Sequence, residues 1–415
     1  MSAFIILTAA LAAQATSPTT GTTEPTEATS EYKTGQSTYL DIEGGLGYAT
    51  NPQFSLASDH DSGFGRISLH GVHTRISART TTLVSAYAEN VSYFSKYGSD
   101  QSLDFYARHD AAVSEKLRLF GDLDASYQQG GQLDTRIIGI PDVPPLPGTP
   151  GTPPDLLPPG SDFLSVTGKE YRLAVHVGGQ LSLAQNDDLN FSSGVERVVF
   201  RSEATDTSYT TIPVSVGYDR RINTRTTVGA RISAADTEYN GPSSLRTITP
   251  QVTATTQLSE RLTLSGALGV SFARFDDGLD ANNSTGLAAE ADLCSKTEHS
   301  HFCGRVSVNN ELATVAGPSK SISGGLDYAT QLDANSTLQL SADLNHYSSP
   351  ISVVTGQTFS SSNYYRAAAA YTRHFGHRWF GGVNLSARQL TEDGPDPKAD
   401  FNGSLFIRYR FGDVQ

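Results

Sequence analysis

Between residues 37 and 411, apolar and polar side chains trade places at almost every step, in runs of about 9 to 14 residues. Leu40, Ile42, Leu46 and Tyr48 share one parity, and Tyr39, Asp41 and Glu43 the other. Leu117, Leu119, Leu123 and Tyr127 oppose Arg118, Asp122 and Asp124. Tyr171, Leu173, Val175, Val177, Leu181 and Leu183 oppose Arg172, His176, Gln180 and Ser182. The same holds for Leu262 to Phe272, for Leu338 to Asn345 and for Trp379 to Arg388. Phe401, Gly403, Leu405, Ile407, Tyr409 and Phe411 oppose Asn402, Ser404, Arg408 and Arg410, with Phe406 the one exception. A period of two belongs to extended strands with two unlike faces. No helical period is sustained anywhere in this region. The predicted fold class is all-β.

The runs fall near 37–48, 63–76, 82–95, 101–113, 117–128, 164–183, 188–201, 207–220 and 225–236, then near 243–256, 261–275, 285–294, 302–312, 320–331, 336–347, 361–373, 378–390 and 400–411. That predicts eighteen strands, or sixteen if one weak pair is misread. The runs at 82–95 and 188–201 alternate poorly, and Pro213 and Pro250 lie inside strands, which predicts a bulge or a strand end there. A short pattern precedes many strands: Ser77 to Leu83, Ser114 to Leu119, Asn223 to Val228, Ser259 to Leu264 and Asn335 to Leu340. Ser or Asn at its head opens a tight turn by bonding nearby backbone, and the Thr or Leu run then enters a strand. These turns stand at one end of the strands. At the other end the connections vary, with long ones expected at 49–62, 129–163, 274–284, 348–360 and 391–399.

Short turns on one side and variable loops on the other describe an antiparallel up-and-down transmembrane β-barrel. Its apolar face meets lipid and its polar face a lumen. The constant repeat of a β-propeller is not present. The alternating run at 401–411, ending on aromatics, looks like the assembly signal of bacterial outer-membrane barrels. Composition agrees: 18% of residues are charged and 37% apolar, against about 25% charged in ordinary soluble domains. No run after the N-terminal segment approaches the roughly 18 apolar residues of a membrane helix, and barrel strands need none. A net charge of −13 without a basic cluster excludes nucleic acid as a partner.

Residues 1–15 read as a signal peptide, with the apolar run Phe4 to Ala13 and a cut after Ala15. Residues 16–36, rich in Thr, Ser, Glu and Pro, read as a linker, and 37–415 as the barrel. Nine of the nineteen prolines fall between Ile138 and Gly160, so the connection at 129–163 is expected to be stiff and to extend no ladder. Its apolar residues, such as Ile138, Ile140 and Leu156, would be shielded by folding over the mouth; a solvated outer loop is the alternative.

The cysteines number two, Cys294 and Cys303, with His299 and His301 between them. The intervening residues suit a hairpin tip that a disulfide can staple, whereas the Cys and His pairs could instead hold a metal. An oxidising compartment favours the disulfide, and no metal or cofactor is expected. Asp276, Asp277, Asp280, Asn282 and Asn283 resemble a cation loop only loosely and read as a solvated acidic loop. Nucleophile-elbow, metalloprotease and phosphate-loop patterns are missing. His70 and His73 share a strand without an identifiable Ser or acid partner, so no catalytic residue is assigned. The candidate functional residues line the lumen: Arg118, Asp122, Asp124, Arg172, Arg231, Asp343, Arg388, Arg408 and Arg410.

At Gly45-Leu-Gly-Tyr-Ala-Thr-Asn-Pro52, and again at Leu293-Cys294 and Phe302-Cys303, the chain resembles a family of β-barrel porins of Gram-negative bacteria. Members are often encoded beside exopolysaccharide biosynthesis and export systems. The resemblance covers about residues 37–411 and implies a passage or scaffold for polysaccharide, without catalysis. The expected partners are outer-membrane lipid and lipopolysaccharide, the barrel assembly machinery and, through the resemblance, polysaccharide export proteins.

Overall fold

The computed structural model describes residues 35–52, 61–95, 97–130, 168–201, 206–276, 278, 281–313, 317–348, 361–392 and 398–413. The segments read as signal peptide and linker (apart from residues 35 and 36) and most of the proline-rich connection lie outside the described residues. So do Asp277 and Asp280. The described chain forms eighteen strands: β1 (Gly35–Ala49), β2 (Ser62–Ile76), β3 (Thr80–Tyr93), β4 (Ser99–Ala112), β5 (Leu117–Gly130) and β6 (Gly168–Ala184). Next come β7 (Asp187–Arg201), β8 (Asp206–Arg221), β9 (Thr226–Tyr239), β10 (Ser244–Gln257), β11 (Leu262–Asp276) and β12 (Ala281–Lys296). Last are β13 (Ser300–Ala313), β14 (Gly317–Asp333), β15 (Ser336–Tyr347), β16 (Ser362–His374), β17 (Trp379–Glu392) and β18 (Lys398–Gly412). Each strand pairs antiparallel with its neighbour in the chain, and β18 pairs with β1 from Tyr39↔Gly412 to Ala49↔Asn402. The sheet is a closed up-and-down barrel without an edge, so every wall strand has two ladder partners.

The seam is clasped at the end that carries the tight turns. Gly412 adopts a φ of +95°, a conformation that suits glycine. The chain beyond Phe411 thereby turns back, so that Asp413 N–H donates to the Thr38 carbonyl (2.9 Å) and its carboxylate accepts from Thr38 N–H (2.7 Å).

The tight turns form as their sequences predict. Ser77 Oγ accepts from Thr80 N–H at 2.9 Å, Ser114 Oγ from Leu117 N–H at 3.1 Å and Asn223 Oδ1 from Arg225 N–H at 2.8 Å. The turn before β15 departs from the pattern: Asp333, not Asn335, supplies the acceptor, to Asn335 N–H at 2.7 Å. Two expectations are corrected. The connection expected at 274–284 occupies only residues 277–280, because β12 starts at Ala281 and pairs with β11 through Arg274↔Asn283. Asn282, Asn283 and Ser284 are polar on both faces, so alternation vanishes while the backbone ladder continues. Pro213 and Pro250 cause no bulge and end no strand. Pairing lapses beside each, opposite β7 and β11, then resumes in the same register. Proline removes one donor, and the intact ladder on its other side holds the strand straight. Gly269 sits beside Pro250, where an added Cβ would lie 2.0 Å from the Pro250 carbonyl oxygen.

The two faces are unlike in the sense opposite to a soluble protein. Leu46, Leu268 and Leu405 are more than 60% exposed on the outer surface, while Asp41, Arg231, Arg388 and Arg410 are buried inside. At the turn end of β17 and β18 the outward rings of Trp379, Tyr409 and Phe411 stack edge to face at 4.7 and 4.6 Å. That is the composition of an interfacial aromatic girdle.

Candidate functional site

Strand parity delivers a girdle of charge to the lumen face. On β18 and β1, Arg410 donates from Nε and Nη2 to the two carboxylate oxygens of Asp41, at 2.8 and 2.7 Å, with its guanidinium 4.1 Å from the Tyr39 ring centroid. One step along, Arg408 Nε donates to Glu43 at 3.0 Å. Glu43 also accepts from Arg66 on β2, whose other terminal nitrogen lies 3.8 Å from Glu89 on β3. The chain of opposite charges therefore crosses the seam where the barrel closes.

The girdle continues around the wall. His176 on β6 meets Asp122 on β5 at 2.9 Å, and Arg172 meets Glu196 on β7 at 2.8 Å. Asp219 on β8 accepts from Asn190 on β7 at 2.7 Å. Arg231 on β9 donates to Gln251 (2.7 Å) and to Glu290 (2.8 Å), on β10 and β12. Arg305 on β13 meets Asp327 on β14 at 3.0 Å. Asp343 on β15 stands in register with Arg366 on β16, and Arg388 on β17 with Asp400 on β18. Asp124 faces inward between Tyr106 and Ala174 on its neighbouring strands, whereas Arg118 is exposed at the turn end of β5. The lumen wall is thus a lattice of fixed charges and dipoles, preorganised because Arg172, Arg231, Arg388, Arg408 and Arg410 are each oriented by a carboxylate.

The end of the lumen face that carries the longer connections has a different chemistry, which the alternating pattern does not announce. Ala49, Phe64, Val91 and Tyr93 pack together there with Tyr97 against them. Tyr364 packs with Leu390, and Leu245, Ala273 and Phe275 with Tyr239. Phe64, Tyr364 and Leu390 are each 1% exposed. The chain leaving β1 joins this layer: Asn51 N–H donates to Asp400 at 2.8 Å, and the Pro52 carbonyl accepts from Arg388 Nη2 at 3.4 Å. Arg388 and Asp400, 2.7 Å apart and 1% and 0% exposed, hold Asn51 and Pro52 inside the mouth. The signal in the sequence was the poor alternation of β3 and β7. Val91 and Tyr93, like Val198 and Phe200, are apolar on the face that elsewhere is polar.

Two other candidates resolve locally. His70 Nε2 lies 3.2 Å from Ser85 Oγ, but Asp41, the carboxylate in register with His70, is bound through both oxygens by Arg410. It orients a guanidinium rather than an imidazole. Cys294 and Cys303 face each other in the β12–β13 ladder and form a disulfide on the lumen face, beside the turn at residues 297–299. Their sulfurs are spent in that bond. Among the described residues no group of three or more His, Cys, Asp or Glu is arranged to hold a metal.

No protein-family model and no curated protein matches the chain. Solved structures do. The siderophore receptor PirA from Acinetobacter baumannii is 8% identical, with 91% of this chain and 81% of that one covered at a TM-score of 0.45. OpdQ from Pseudomonas aeruginosa is 9% identical over 91% and 98% of the two chains, with a TM-score of 0.44. OpdL from the same organism is 11% identical over 91% and 99%, with a TM-score of 0.41. Likenesses this distant carry no argument about function. The barrel's own surface does carry one about place. Strands cross a bilayer only as a closed barrel with an apolar exterior, and this wall presents Leu, Ile, Val and Phe outward around a polar, ion-paired interior. The protein is an eighteen-stranded β-barrel of the bacterial outer membrane.

Proposed function

We propose that the protein is an outer-membrane channel for hydrophilic solutes, with exopolysaccharide as the solute class implied by the resemblance. The observation that supports this best is the girdle of paired charges on the lumen face from Asp41 to Arg410. Barrels of about 16 to 18 strands enclose enough width for an aqueous path, and a wall of fixed charges replaces part of a polar solute's hydration. No step of covalent chemistry is required of any residue. The test is conductance of the purified full-length barrel in planar bilayers, followed by swelling of barrel-containing vesicles in neutral and acidic oligosaccharides. A folded barrel should conduct, and Arg231→Gln should alter its ion selectivity. Swelling in oligosaccharides of one charge class would support a polysaccharide path. A second reading has its own support, the packed aromatic layer at the outer mouth: a barrel that is closed there and acts through its outer loops. A folded barrel with no conductance would favour that reading over the channel.

A further inference from the structure

We infer that the charge selectivity of the lumen is set by Arg305 on β13 and Asp327 on β14, which rests on the channel reading above. Arg305 keeps 34% of its side chain exposed and Asp327 27%. The salt bridges made by Arg66, Arg172, His176, Arg231, Arg388, Arg408 and Arg410 keep 18% or less in either partner. On β4, Arg108–Asp110 opens only at its carboxylate, with 8% and 34% exposed. The wall around the pairs differs in the same way. Every inward side chain of β2 is buried, whereas Glu290 and Asp292 on β12 and Ser341 and Asp343 on β15 are part-exposed. β10 is part-exposed too, from Thr247 to Thr255, but carries no charge on its inward parity. A solute moving through the lumen therefore meets both members of the Arg305–Asp327 pair.

The neighbours hold the pair in place. Arg305 Nη2 donates to Asp327 at 3.0 Å, and Arg305 stands opposite Asp292 on β12. On its other side it faces Gly325 on β14, which in turn faces Asp343 on β15. A Cβ on Gly325 would lie 3.2 Å from Asp343 Oδ1 and 3.3 Å from Arg305 Cγ, so the two side chains lean across the glycine from either side. The guanidinium is thus set among Asp292, Asp327 and Asp343, while Arg366 stands opposite Asp343 from β16. Toward the turn, Cys303 stands opposite Asp327, and its bond to Cys294 ties β13 to β12. Lys296 and His301 face each other beyond it. Opposite charges are closely matched here, so removing one member of the exposed pair leaves a net charge of the other sign. That charge acts on a solute through a few ångströms of lumen water, a range that salt does not fully screen.

The experiment uses the full-length barrel in planar bilayers under a potassium chloride gradient, where the reversal potential gives the ratio of potassium to chloride permeability. Arg305→Gln should raise that ratio about twofold and Asp327→Asn should lower it about twofold, the effect of one unit charge about 10 Å from an ion in water. Arg305→Lys keeps the charge and should keep the wild-type ratio. Arg75→Gln, exposed on the lipid-facing parity of β2, should keep it as well. Folding of each variant is read from its fast-migrating band on unheated gels, and because the two neutral variants act in opposite directions, either one suffices should the other fail to fold. An unchanged ratio in a folded neutral variant would overturn the assignment and leave the channel reading standing. So would a shift in Arg305→Lys or Arg75→Gln as large as that in Arg305→Gln. A folded wild-type barrel without conductance would overturn both.

Discussion

Arg388 and Asp400 show what a single lumen residue is asked to do. With both side chains essentially out of solvent, the pair gains its stability from mutual neutralisation and from the Asn51 and Pro52 backbone groups it bonds. Removing one partner strands the other charge in a low dielectric, at a cost of about 3–5 kcal/mol. Arg388→Ala should therefore lower the urea midpoint for unfolding from lipid vesicles more than the double variant with Asp400→Ala does. A double variant no more stable than Arg388→Ala would show that the pair is solvated after all. Arg388 was legible in the sequence because it shares parity with Asn384 and Ser386 below it. Asp400 was not, since it opens the alternating run at 400–411 and has no preceding alternation to read.

At the scale of the strand, the pattern is informative where lipid and lumen differ in polarity and silent where they do not. β11 alternates cleanly because Leu268 and Val270 face lipid while Ala267 and Ser271 face inward. Leu268→Arg, halfway along β11, should cost about 2–4 kcal/mol, the price of a charge near the bilayer midplane. Thr253→Arg, on the lumen parity of the neighbouring β10, should cost distinctly less. Equilibrium unfolding from vesicles measures both, and a reversed order would mean the register is off by one residue. β3 and β7 alternate poorly because Val91 and Tyr93, and Val198 and Phe200, put apolar side chains on the lumen face at their loop ends. β12 fails for the converse reason, being polar on both faces at its start. Pro250 looked like an interruption because only the tertiary neighbour reveals that its other ladder, to β9, is complete.

Across the whole molecule the decisive contact joins strands at opposite ends of the chain. β1 and β18 meet through Asp41↔Arg410 and Glu43↔Arg408, and Arg66 extends the set from β2. Closing a barrel brings together the most distant segments, which is slow because loop-closure entropy opposes it. Opposite charges aligned at the seam favour one register over its neighbours. Asp41→Ala with Glu43→Ala should leave Arg408 and Arg410 without their carboxylates and reduce the fraction that folds into vesicles. The folded form is read as the fast-migrating band on unheated gels. Adding Arg408→Met and Arg410→Met should restore part of that fraction. No loss in the first variant would mean that backbone pairing alone sets the seam.

The sequence by itself determined an all-β chain of sixteen to eighteen strands, most of the turns and which residues face lipid, because each of these is local. Side-chain direction alternates with a period of two, and a Ser or Asn turn needs only its own neighbours. It also determined that Arg172, Arg231, Asp343, Arg388, Arg408 and Arg410 point inward. Which charge each of them meets was decided only in the tertiary structure. Arg172 and Glu196, Arg231 and Glu290, and Arg410 and Asp41 lie on different strands, and their meeting depends on register and closure. The inward turn at Asn51 and Pro52 and the aromatic layer at the mouth belong to the same class. Each is a relation between strands, and no single strand carries the information to specify it.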